Sequence, residues 1–326
     1  MSYGLSQLSQ RKFDEAERTF RTVLAMNRVP ENLTAMAKTQ LALAELQRDN
    51  NSEATELAGS VLTYGGKMNL QAINIALEGL KRQGKNAEAL QLLAPLVEEF
   101  GNDPYIRSRQ TEFLLRSGKK AEARAIAEEQ LASPNRQSLA VIDAYGAAEE
   151  YAEGIALLEK VRTRQPDDQN VIFQMGAFYE RAGKTKDAER TFLQLLDKAP
   201  DHAPTLNYLG YMWAEAGTNL QRAEQMLVEA VRQEPANGAY IDSLGWVYYK
   251  LDKLDLAEKN LLEAAKLVPR DPTIQQHLGD VFRKRGDHGR ALAAYRAALD
   301  MRPEAKEEAE LKTKVAELER LAAPLR

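Results

Sequence analysis

The chain has 326 residues, a net charge of −4, 44% hydrophobic and 28% charged residues, and no cysteine. Disulfide scaffolds and thiol chemistry are excluded, and a general nucleic-acid binder, which would carry a basic stripe, is disfavoured. No apolar run has the length of a signal peptide or a membrane-spanning helix, so direct membrane insertion is not expected of this stretch.

The first half carries a degenerate repeat. Tyr3 and Gly4 precede Phe13, Ala16, Phe20 and Val23 at spacings that put them on the facing sides of two helices. In that register Met1 falls at about position 5 of a unit. The expectation is therefore a first repeat clipped in mid-helix, as in a fragment of a longer protein. Ala54 and Ala58 belong to a unit starting near Ala35, and Gly84, Ala89 and Leu93 to one starting near Leu70. Pro95 lies inside the helical pattern Asn86 to Phe100 and predicts a kink beside Leu92 or Leu93. Gly118 and Ala123 locate a unit starting near Pro104 that ends early at Ser133-Pro134-Asn135, where a change of curvature is expected. Tyr145 and Leu158 mark the next unit, starting near Asn135 and closed by Pro166.

From there the period becomes strict. Pro166, Pro200, Pro235, Pro269 and Pro303 lie 34, 35, 34 and 34 residues apart, and Gly176, Gly210, Gly245 and Gly279 lie 34, 35 and 34 apart. A fixed period of this length marks stacked units, each too small to cover its own apolar face. With the glycine numbered 8, apolar residues recur at 4, 7, 8 and 11 and at 20, 24 and 27, one face each of two helices about 20 Å long. Small residues at 8 and 20 let the axes approach, and Tyr179, Trp213, Tyr248 and Phe282 at 11 fill the core. Proline at 32 ends each unit. One residue is inserted in the turn Gly217 to Leu220. After Pro303, Leu311, Val315, Leu318 and Ala322 share one face of a charged helix. It reads as a solvating cap, with weak self-association through a short coiled-coil seam as the alternative.

This pattern resembles the tetratricopeptide repeat family. The resemblance implies an all-α fold, a right-handed superhelix (α-solenoid) of about nine helix-turn-helix repeats with a C-terminal capping helix. Residues 1–168 would hold the degenerate repeats, 169–305 the four well-formed ones, and 306–326 the cap and tail. It also implies that the first helices line a concave groove. There Phe173, Gln174, Arg181, Asn207, Tyr208, Tyr211, Asp242, Trp246, Tyr249, Lys250, His277, Arg283 and Lys284 are the candidate partner-binding residues. Tyr208, Tyr211, Trp246 and Tyr249 would form one aromatic patch suited to a peptide; the alternative is that these rings pack between neighbouring helices. Replacing Tyr211 and Trp246 with alanine is expected to weaken partner capture and leave helicity nearly unchanged.

Catalysis has little support. His202, His277 and His288 are scattered, with no metal-ligand spacing, so no metal or cofactor is expected. His202 and His288 fall in turns and are read as solvated. Gly183-Lys184-Thr185 lacks the glycine a phosphate-binding loop requires five residues earlier, where Phe178 stands. Position 9 holds Ala177, Tyr211, Trp246 and Asp280, which disfavours the family's carboxylate clamp. Asn207 to Tyr211, the inserted turn, and Asn237 to Trp246 resemble the C-terminal repeats of bacterial envelope-associated proteins, some of them lipoproteins. The expected function is a non-enzymatic scaffold or adaptor for a protein or peptide ligand, with a periplasmic or outer-membrane-associated location favoured for the full-length form. The alternative is the regulatory arm of a larger enzyme, such as a glycosyltransferase, whose catalytic domain lies outside this stretch.

Overall fold

The structure is a computed structural model and describes residues 1–101, 103–132 and 139–322. Among them nine helix pairs follow one another. In the first half these are α1 (Ser2–Ser9) with α2 (Phe13–Leu24), α3 (Glu31–Gln47) with α4 (Asn51–Gly59), and, after a two-stranded hairpin, β1 (Thr63–Tyr64) and β2 (Lys67–Met68), α5 (Leu70–Arg82) with α6 (Asn86–Phe100). Then come α7 (Pro104–Arg116) with α8 (Lys120–Gln130), and α9 (Ala140–Ala147) with α10 (Tyr151–Arg164). The second half has α11 (Gln169–Arg181) with α12 (Thr185–Lys198), α13 (Ala203–Ala216) with α14 (Leu220–Gln233), α15 (Gly238–Lys250) with α16 (Leu254–Leu267), and α17 (Pro272–Lys284) with α18 (His288–Asp300). A last helix, α19 (Ala305–Ala322), follows them among the described residues. Two compact units result, Met1–Val171 and Ile172–Arg326.

One turn recurs inside every pair. Arg11, Asp49, Gly84, Gly118, Glu149, Gly183, Gly217, Asp252 and Gly286 all adopt a left-handed backbone, with φ from 59° to 78°. The next residue's amide bonds back to a carbonyl at the end of the first helix, as in Lys85 N to Leu80 O at 2.9 Å and Thr218 N to Trp213 O at 2.9 Å. This closes the helix by satisfying a carbonyl that has no partner within it. Glycine takes the conformation without strain, whereas the four charged residues carry a steric penalty of about 1–2 kcal/mol each.

The small-against-large pairing read from the period is present. A Cβ built on Gly210 would lie 2.8 Å from Leu227 Cγ, and one on Gly245 would lie 2.7 Å from Leu261 Cγ. Gly176 and Gly279 press still closer on the rings of Phe192 and Tyr295, and Gly4 meets Phe20 Cε1 at 2.7 Å. Ala188, Ala223, Ala257 and Ala291, at position 20, are fully buried, as is Tyr145 in the degenerate half. Trp213 is buried too, and its indole donates to Glu189 Oε1 at 2.8 Å.

Several local expectations change. The second unit begins at Glu31, four residues before Ala35, because α3 runs for 17 residues. The hairpin was not foreseen; Gly65 and Gly66 make its turn with φ of 56° and 71°, the two-residue left-handed type that strand twist favours. Asn69 then caps α5 and donates to Thr39 Oγ1 at 2.9 Å. As the sequence pattern placed it, Pro95 lies inside α6, its ring exposed while Leu93 and Leu96 are buried on either side. The bend expected at Ser133-Pro134-Asn135 and the unit start at Asn135 lie outside the described residues. In α19, Leu311 and Leu318 are buried in the core of the second unit. The face a dimer seam would use is thereby occupied within the chain.

Candidate functional site

In the second unit the first helices of successive pairs, α11, α13, α15 and α17, bring the candidate residues together, though not as one exposed patch. Trp246 is only 7% exposed. Its indole lies parallel to Tyr249, at 4.8 Å and 13°, and to His277, at 4.0 Å and 16°. The ring nitrogen of Trp246 donates to Glu215 Oε1. His277 is 3% exposed, with Nδ1 2.9 Å from Asp242 Oδ1. Carboxylates only accept, which assigns the proton to Nδ1. Trp246 and His277, expected to line the groove, are buried and tie α15 to its neighbours, which is the packing alternative for these rings. The joint replacement of Tyr211 and Trp246 consequently disturbs packing and is no longer a clean test of binding.

The basic candidates are engaged as well. Lys250 Nζ lies 4.7 Å from the Trp246 ring centre and 3.4 Å from the Glu215 carbonyl, at the end of α13. One repeat later Lys284 does the same, 4.8 Å from the Tyr249 ring centre and 3.4 Å from the Tyr249 carbonyl, while also pairing with Asp252 at 2.7 Å. Arg283 pairs with Glu317 of α19 at 2.8 Å. Lys314 of α19 bonds Asp280 at 2.7 Å, and the Tyr295 hydroxyl donates to the same carboxylate at 2.6 Å.

What remains open is a groove of about 540 Å³ beside α13, with Asn207, Tyr208, Tyr211 and Met212 on one wall and Ala239, Asp242, Ser243, Thr273 and Ile274 on the other. Tyr208 donates to Glu180 Oε2 at 3.1 Å, and its ring meets Phe173 edge-on at 5.8 Å. Burial, followed by the charge of Glu180, pushes its hydroxyl up to about 12. Tyr211 is pushed higher, first by burial and then by Glu215, Asp242, Glu307 and Glu180. Asn207 Oδ1, on the groove wall, is buried without a hydrogen-bond partner, as is Gln174 Oε1 on α11. Such groups are uncommon and ask for an explanation. Arg181 lies exposed at the end of α11.

His202 departs from its expected solvation. It is half-buried before α13, with Nδ1 2.7 Å from Thr205 Oγ1 and its ring 5.9 Å from that of Phe173; burial lowers its pKa. His288 is exposed, as expected. Glu180 and Glu215, inward-facing by register but not among the candidate binding residues, and Asp271, which sequence reasoning passed over, also line the groove. Glu180 and Glu215 stand at positions 12 and 13 of their units, and their acidity was the available signal.

No helix among the described residues is long and apolar enough to cross a membrane. TPR repeat-containing protein PA4667 of Pseudomonas aeruginosa is 26% identical over 207 residues, covering 60% of this chain and 35% of that protein. Human protein O-mannosyl-transferase TMTC3 is 27% identical over 124 residues, covering 38% and 14%. The chain thus spans about a third or less of these curated relatives. Among solved structures, TTC0263, a thermophilic TPR protein from Thermus thermophilus, aligns with a TM-score of 0.48 and 20% identity, covering 60% of this chain and 99% of that one. Family profiles described as tetratricopeptide repeat match residues 4–61, 147–209 and 243–306. Together with the recurring left-handed turn and the glycine that seats a large side chain, these profile matches establish that the chain belongs to the tetratricopeptide repeat family.

Proposed function

We propose that this chain is a non-enzymatic interaction scaffold that holds an extended segment or helix of a partner protein in the groove beside α13. The observation that carries the reading is the groove itself, about 540 Å³ with Tyr208 and Tyr211 on its wall. That volume falls among those of sites that enclose a ligand, and half-buried tyrosines give contact area with a polar tip. The buried acceptor Asn207 Oδ1, on a residue that lines the groove, supports it, since a peptide backbone supplies the missing donor once the amide turns. The role we favour is assembly of a complex at the bacterial envelope. That role is supported by the likeness of the Asn207 to Trp246 segment to envelope-associated repeats and by a bacterial relative.

Affinity capture with Tyr211→Ala tests the groove. Truncating a tyrosine at the centre of an interface costs about 2 kcal/mol, roughly a 30-fold loss of affinity. Equal recovery of the same partners by wild type and variant would reject the assignment. A second reading, a substrate-binding arm of a larger enzyme, is favoured by one finding, the match to part of a human mannosyltransferase. The regions flanking this stretch in its gene decide between the two.

A further inference from the structure

The charge around the groove is lopsided. Glu180, Glu215, Asp242 and Asp271 all line it, and among the described residues none of the four pairs with a lysine or arginine. Their partners are neutral or weakly basic: the Tyr208 hydroxyl for Glu180, the Trp246 indole for Glu215, the His277 ring for Asp242, and the amides of Thr273 and Ile274 for Asp271. Buried acids of the first unit behave differently. Glu45 is matched by Arg48, and Glu112 by Arg109 and Arg116.

The cations nearest the groove do not reverse this sign. Lys250 lies over Trp246 against the Glu215 carbonyl, Lys284 is paired with Asp252, and Arg283 with Glu317; Arg181 is exposed at the rim and acts on the Tyr208 hydroxyl, where the charge of Glu180 outweighs it. Tyr211 stands in the middle of the acids, within the influence of Glu215, Asp242, Glu307 and Glu180. Its hydroxyl has no hydrogen-bond partner among the described residues. A concave wall of low dielectric concentrates such a field, and a tyrosine face adds its own attraction for a cation.

We infer that the segment held in this groove is basic, laying a lysine or arginine side chain of the partner against Tyr211 and between the carboxylates of Glu180, Glu215 and Asp242. The inference rests on the groove reading above and names the chemistry of its ligand. An acidic segment is repelled by the same four groups, and a purely apolar one leaves them unpaired beside it.

The probe is a random peptide library selected on the immobilised chain, followed by fluorescence anisotropy of the strongest peptide with each variant. The informative variant is Glu180→Gln with Glu215→Gln. Glutamine keeps one side-chain carbonyl oxygen that can accept from the Tyr208 hydroxyl or the Trp246 indole and removes the charge, and circular dichroism checks that the fold is kept. We expect lysine and arginine to be enriched, and affinity to fall about tenfold in the double variant and again as salt is raised. Selected peptides that are neutral or acidic, or a double variant that binds like wild type, would overturn the charge assignment. The groove reading survives that outcome if Tyr211→Ala still weakens binding. If Tyr211→Ala changes nothing, or no peptide is selected above background, both readings fall.

Discussion

Removing the Trp246 ring should loosen the second unit far more than removing a groove ring. A buried tryptophan withdraws about 150–250 Å² from water, which at about 25 cal/mol per Å² amounts to roughly 4–6 kcal/mol before relaxation. Measured losses for such truncations are about 3–5 kcal/mol. Trp246 also stacks on two rings, supports Lys250 and donates to Glu215, so little of this is recovered by collapse. Trp246→Ala is therefore expected to lower local stability by about 4 kcal/mol, and Trp246→Phe, which keeps an aromatic ring over His277, by about 1–2 kcal/mol. Because repeat arrays need not unfold in one step, the suitable assay is hydrogen exchange read peptide by peptide. Protection should collapse in α15 and α17 and hold in α3 and α5. A loss under about 1 kcal/mol, or one spread evenly along the chain, would refute the assignment of Trp246 as a tie between helices.

Three further outcomes follow from backbone and burial. Glu149→Gly should raise stability by about 0.5–1 kcal/mol, since glycine relieves the left-handed strain at φ 60° and returns part of the gain as chain entropy. Gly183→Ala, with open space around its Cβ, should lower it by about 1 kcal/mol through strain alone; urea midpoints measure both. His202 has a lowered pKa in the folded chain, chiefly through burial, so the unfolded chain takes up the proton first on acidification. Its contribution is complete above about pH 6.5 and fades as pH falls from there toward the folded value. The urea midpoint should drop between about pH 7.5 and pH 5.5, and His202→Gln should flatten that drop; an unchanged slope would contradict the burial assigned to this ring.

The period was readable because two of its determinants are steric. Only glycine fits at position 8 against Phe192 or Tyr295, and only a chain break suits position 32, so these residues leave a visible rhythm. The turn between paired helices is as regular in space yet half hidden in sequence. Arg11, Asp49, Glu149 and Asp252 adopt the same left-handed turn as the glycines but pay in strain and carry no distinctive letter. The hairpin did have a signature in Tyr64-Gly65-Gly66-Lys67, lost because a helical register was being threaded through it. At the candidate site, register told which helix face each side chain occupies. It could not tell which rings are pressed together: Trp246 and Tyr211 occupy the same position 9, yet one is stacked on its neighbours and the other stands at the groove. That difference lies in what the neighbouring repeats offer: His277 stacks on Trp246 at 4.0 Å, whereas Tyr211 meets the same ring only at 6.5 Å, tilted, and borders the groove with Ser243.

The lysines that reach back to the preceding repeat impart a polarity to the stack. Lys250 closes the carbonyl end of α13, Lys284 that of α15, and Arg82 does the same for Leu46 at the end of α3, at 3.1 Å. A positive charge there offsets the negative end of the helix, and in each case it is donated backwards along the chain. These three helix ends are thus held shut by the unit that follows, whereas the end of α9 is closed from the preceding one, by Arg116 on Ala147 O. A ribosome would release these helices provisionally, each one fraying until its successor emerges.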